Sequence, residues 1–219
     1  MRHAFQEHLK NLEKELHGMA DLVNQAIDRS IIALKERDVE EAKKIKKDDV
    51  HINTKRFEIE ELCIHLIATQ QPVATQLREI IAVLNIITDL ERMGDYAEGI
   101  AKIVIKLDGS EPVKPLIDIP RMADIATDMI THSLDAYATR DVERAREITA
   151  TDDDVDDLYN QIMRELISIM IEDPRTITRC TYLMWVAHNL ERIADRVTNI
   201  CERIIFLVTG ELVENIDKD

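Results

Sequence analysis

Apolar side chains recur near the start of the chain in steps of four and three: Phe5, Leu9, Leu12, Leu16, Met19, Val23 and Ala26. That spacing puts them on one stripe of a helix and predicts a bundle-type seam over residues 4–36. Asp38 stands at a turn, placed to cap the next helix. A second helix is expected over about 39–68, with Ile45, Asp49, Ile52, Arg56, Ile59, Cys63 and Leu66 on its seam, and Gln70-Gln71-Pro72 ends it. A third is expected over about 73–107, closing at Asp108-Gly109.

The prolines then cluster. Pro112, Pro115 and Pro120 make the stretch after Asp108 the one proline-rich segment, which reads as a boundary. Beyond it the same order returns. A helix over 121–139 leads to Arg140-Asp141-Val142-Glu143, which matches Arg37-Asp38-Val39-Glu40. A helix over 142–171 ends at Glu172-Asp173-Pro174, and another over 176–209 closes at Thr209-Gly210. The pattern predicts an all-α fold of two tandem, pseudo-symmetric three-helix bundles. The first covers residues 1–108 and the second 121–212, with a linker at 109–120 and a C-terminal tail at 213–219.

Composition agrees. With 5 glycines, 5 prolines and 4% aromatics in 219 residues, the turn residues and strand formers of a sheet-rich fold are missing. A formal net charge of -15 disfavours binding to nucleic acid or to an anionic membrane surface, and suits a cation or a basic protein partner. Cys63, Cys180 and Cys201 lack metal-type spacing and read as reduced thiols of a cytoplasmic chain. The N-terminus lacks a signal-peptide core, and no apolar run approaches membrane-spanning length. Any membrane association is therefore expected to go through a partner.

The chemistry lies in the third helix of each half. Leu90-Glu91-Arg92-Met93-Gly94-Asp95 returns as Leu190-Glu191-Arg192-Ile193-Ala194-Asp195. Each copy sets two carboxylates at i and i+4 on one helix face. Glu98 continues the first line. The second helices add Asp49 and Asp152 at matching seam positions, and Asp156 one turn after Asp152. Burying even a neutral polar group without a partner costs about 2–7 kcal/mol. A seam aspartate that occurs twice therefore calls for a cation, hydrogen bonds or water, and clustered carboxylates are the ligands of hard metal ions. The bland alternative is ordinary salt bridging, with Arg92 and Arg192 as partners. His188, one turn before Glu191, is a further candidate ligand. Trp185 and Met184 are expected in the core. Nucleophilic or phosphate-loop motifs are missing.

At these residues the chain resembles the PhoU family, the accessory and regulatory proteins of phosphate-specific transport. The resemblance also rests on Ala68-Thr69-Gln70-Gln71-Pro72, on Met170-Ile171-Glu172-Asp173-Pro174-Arg175-Thr176 and on Thr198-Asn199-Ile200-Cys201-Glu202. It implies a homodimer of tandem three-helix bundles with divalent or multinuclear metal, for which iron, zinc, manganese and magnesium are candidates. The implied metal residues are Asp49, Glu91, Asp95, Asp152, Asp156, Glu191 and Asp195, with Glu202 as a lesser one. It further implies a cytoplasmic, non-enzymatic negative regulator between the ATPase subunit of the phosphate ABC transporter and the sensor histidine kinase of the phosphate regulon. Gly99, Lys102 and Asn53 stand where the second half has Asn199, Glu202 and Asp156, so the two sites are expected to be unequal, the second the stronger. A competing expectation is a magnesium-dependent all-α nucleotide pyrophosphohydrolase, which also holds metal on Glu-x-x-x-Asp helices. That enzyme would need a basic and aromatic nucleotide pocket, and none is evident in the sequence.

Overall fold

The computed structural model describes the backbone of residues 2–211 and the side chains of residues 7–211. The expected seam position of Phe5 and the tail at 213–219 lie outside the described side chains. Six long helices follow in order: α1 (Arg2–Glu36), α2 (Val39–Gln70), α3 (Thr75–Lys106), α4 (Asp118–Thr139), α5 (Val142–Glu172) and α6 (Ile177–Thr209), with a 3-10 turn at Pro174–Thr176 before α6. α4 starts three residues earlier than the proline spacing suggests. Pro120 sits in its first turn, where a missing N–H costs nothing because the helix has no acceptor for it there.

The two halves turn their first corners in the same way. Arg37 and Arg140 both adopt left-handed backbone angles, with φ of 61° and 59°. The following aspartates both cap: Asp38 accepts from the N–H of Glu41 at 2.9 Å, and Asp141 from that of Arg144 at 2.9 Å. Asp141→Ala should therefore cost about 1 kcal/mol in urea unfolding, while Asp141→Asn keeps most of the cap.

α3 and α6 occupy the middle of the molecule. α3 packs on α1, α2 and α6, and α6 on α3, α4 and α5. One continuous apolar cluster runs through both halves, including Leu16, Val23, Ile86, Leu90, Met93, Ile130, Ile162, Leu190 and Ile193. Between the central helices the buried Asp89 accepts from Arg196 Nη1 at 3.3 Å and from Asn199 Nδ2 at 3.4 Å. At Gly99 the same interface is so close that an added Cβ would lie 3.0 Å from Asn189 Nδ2. The three cysteines are free and buried, and burial pushes the Cys63 and Cys201 thiols up to about 12, which leaves them inert. None of the described helices is long and apolar enough to cross a membrane.

One core expectation fails. Trp185 is 55% exposed, and Met184 is only partly buried against the core. The buried line of α6 runs through Leu183, Val186, Ala187 and Leu190, and Trp185 projects away from it. Its ring stands edge-on to His188, centroids 5.8 Å apart, and His188 in turn lies 6.4 Å from the Tyr159 ring.

Candidate metal centre

The acidic lines fall where the central helices leave the core. Leu90, Met93 and Gly94 bury the inner side of α3, as Leu190, Ile193 and Ala194 do on α6. The carboxylates one step around each helix are left at the rim. Glu91, Glu98 and Glu191 side chains keep 20%, 16% and 16% of their surface, while Asp95 and Asp195 are more open.

In the first half the acids line the crossing of α2 and α3. α2 crosses α3 at Gly94, where an added Cβ would come within 2.9 Å of Ile52 Cδ1 and 3.6 Å of Asp49 Oδ1. Asp49 therefore faces α3 at Gly94. Its carboxyl is held above the usual carboxylate range, first by burial and then by the charges of Glu98, Asp95 and Glu91. One neutral donor opposes that shift, Asn53 Nδ2 at 2.7 Å from Asp49 Oδ2. A crevice of about 250 Å³ opens beside the group, lined by Arg29, Ile45, Asp48, Asp49, Gly94 and Glu98 among others. Lys102 donates to Glu98 Oε2 at 2.5 Å, so the positive charge expected near this line is present.

The second half is built differently. Asp152 is 2% exposed, where its counterpart Asp49 is only half-buried. Asp156 stands where the first half has the neutral Asn53. Asp156, Glu191, Asp195 and Glu202 are all partly buried. His188 Nδ1 lies 3.5 Å from Glu191 Oε2. Burial, and after it the Arg192 charge, hold the imidazole below its usual value, with Asp195 pulling the other way. The ring is thus mainly neutral at pH 7, the form that binds metals.

An arginine pairs with each line, as the salt-bridge alternative required. Arg92 reaches Asp95 at 3.2 Å and Glu91 at 3.7 Å; Arg192 reaches Asp195 at 2.7 Å and Glu191 at 3.4 Å. Among the described residues no three Asp, Glu, His or Cys side chains close around a single point. The carboxylates fit a divalent ion by donor chemistry: they are hard oxygen donors, and Asp49 is destabilised by acid neighbours that a cation would offset. They fit it in an open arrangement whose outer oxygens the arginines hold. Glu98 belongs to this group through its effect on Asp49. The sequence places it on the acidic line, but the second half has Thr198 at that position, so the repeat does not single it out.

Comparison with known proteins places this architecture. A family model described as the PhoU domain matches residues 16–104 and again 119–204. A Clostridium acetobutylicum protein named phosphate-specific transport system accessory protein PhoU homolog is 42% identical over 97% of this chain and 98% of its own length. A namesake from Aquifex aeolicus is 40% identical over 94% of both chains. The crystal structure of PhoU from Pseudomonas aeruginosa matches with a TM-score of 0.88 at 33% identity, covering 94% of this chain and all of that one. The phosphate transport system regulatory protein PhoU from Streptococcus pneumoniae matches with a TM-score of 0.89 at 32% identity, over 96% of this chain and all of its own.

Proposed function

The chain belongs to the PhoU family, and from that premise we propose that it is a metal-binding regulatory adaptor of phosphate uptake. In this reading it is cytoplasmic, homodimeric and not an enzyme. It connects the ATPase subunit of the phosphate ABC transporter with the sensor histidine kinase of the phosphate regulon, lowers uptake and signalling, and meets the membrane only through those partners. The observation that carries the reading is 42% identity over 97% of the chain to a protein named as an accessory of phosphate-specific transport. The metal part is supported by the field around Asp49, where three acids and burial all favour a compensating cation.

Elemental analysis of the untagged protein tests that part. Stoichiometric iron, zinc or manganese is expected, with a marked fall in Glu191→Ala/Asp195→Ala and a smaller one in Glu91→Ala/Asp95→Ala. Equal losses would contradict the inequality of the halves. No metal in any sample, even after incubation with divalent ions, would leave these carboxylates as arginine-bridged surface groups. For the adaptor role, the purified ATPase subunit should be retained on the immobilised chain, and its free passage in every metal state would count against it.

A further inference from the structure

The outer face of α2 is not uniformly polar. Val50, Phe57 and Ile64 recur every seven residues, about two helical turns, and are 55%, 58% and 57% exposed. They form a stripe on the side opposite the buried Ile45, Ile52, Ile59 and Leu66. The fold does not require apolar groups there. In α5 the matching positions carry Asp153, Asn160 and Ile167, so two of the three are polar in the other half.

Charge is unevenly spread on the same face. Exposed Lys46 and Lys47 precede the stripe's centre, Glu60 and Glu61 follow it, and Asn53 and Thr54 lie between. Among the described residues Lys46, Lys47 and Glu61 join no ion pair, while Glu60 meets Arg56 at 3.4 Å. This arrangement is self-complementary when the helix is reversed. With two copies antiparallel and crossing at Asn53 and Thr54, Val50 of one meets Phe57 of the other. The same register sets Lys46 opposite Glu61 and Lys47 opposite Glu60. Two-fold symmetry doubles every contact, as in an isologous interface. A parallel arrangement would set lysine on lysine and glutamate on glutamate. For a chain of net charge -15, general repulsion opposes self-association, so local complementarity has to supply the attraction.

We propose that this face of α2 is the interface with a second copy of this chain, packed antiparallel about Asn53 and Thr54. The inference rests on the homodimer in the functional reading and gives it a location; it needs neither metal nor transporter. One helix per copy makes a small interface, below about 1,200 Å², which belongs to weak, reversible complexes.

Sedimentation equilibrium of the full chain tests it. The unaltered protein should show a concentration-dependent dimer, and Phe57→Asp should raise the dissociation constant at least about tenfold. Lys46→Glu/Lys47→Glu and Glu60→Lys/Glu61→Lys should each weaken self-association. A one-to-one mixture of those two variants should dimerise again, because an all-acidic face then meets an all-basic one. Phe57, Lys46, Lys47 and Glu61 are exposed and Glu60 is half-buried, paired with Arg56, and circular dichroism melts check that the variants fold. A monomer up to about 1 mM, where association would be weaker than about −4 kcal/mol, overturns the proposal. So does a dimer that Phe57→Asp leaves intact, which would keep the homodimer but move it elsewhere. Failure of the mixture to associate overturns the antiparallel register. None of these results bears on the metal content or on the family.

Discussion

Leu90→Ala should lower the unfolding free energy by about 3–4 kcal/mol, a large share of the total stability of a domain of this kind. Leu90 is fully buried on α3, the helix that packs against α1, α2 and α6. Truncating it removes apolar transfer energy and leaves a cavity. The cavity cannot readily close, because each neighbouring helix is held along its length by other contacts. Leu190→Ala, the repeat counterpart on α6, should behave alike, since that residue is equally buried. Ile171→Ala at the exposed end of α5 is the control and should change stability by less than about 0.5 kcal/mol. Urea unfolding with an unchanged m-value provides the readout. A loss below about 1 kcal/mol for Leu90→Ala would mean that the central helices slide to fill the gap.

The helices were legible because each buries one stripe, and a stripe leaves a period. Ile45, Ile52, Ile59, Cys63 and Leu66 are buried as their spacing predicts. The acidic lines were legible because they occur twice. What the period could not show is which helices meet across the halves. The α3–α6 contact, with Asp89 held by Arg196 and Asn199, joins residues more than a hundred positions apart. The unequal burial of Asp49 and Asp152 likewise depends on tertiary detail: both halves open a crevice at this place, but Asp49 lines the first, whereas the second is walled by Ile148 and Thr151 and not by Asp152. Trp185 lies outside the core because its angular position on α6, and not its hydrophobicity, sets where it points. The Val50, Phe57 and Ile64 recurrence lies in the sequence too, but it stands out as an outer stripe only when the buried seam of α2 is known.

Saturating divalent ion should raise stability, and lowering the pH should erase that gain. An ion bound only by the folded chain contributes about 2.7 kcal/mol at a hundredfold excess over its Kd. Protons compete for the same oxygens. The Asp49 carboxyl sits above its ordinary value of 3.8, so protonation reaches it at a higher pH than it would an isolated aspartate. Without metal the slope reverses. Asp28, Asp49 and Asp89 are all raised in the folded state, chiefly by burial. Between the ordinary value and the raised one, the folded chain binds more protons than the unfolded chain. Their destabilising effect is therefore full above the folded pKa and is relieved as pH falls through it. Glu41 and Asp173 are lowered, by Arg29 and Arg175 respectively, and titrate below their ordinary values of 4.5 and 3.8, outside the upper part of that window. His188 acts the other way: its lowered pKa means stability is lost as pH falls through 6.5. In a His188→Gln background, lowering the pH from neutral through the raised carboxylate values should thus raise the Tm of the metal-free protein and shrink the increment from added metal. A metal increment independent of pH would place the ion away from Asp49. A metal-free Tm that falls with pH in that background would mean the acid neighbours of Asp49 are already neutralised in the folded chain.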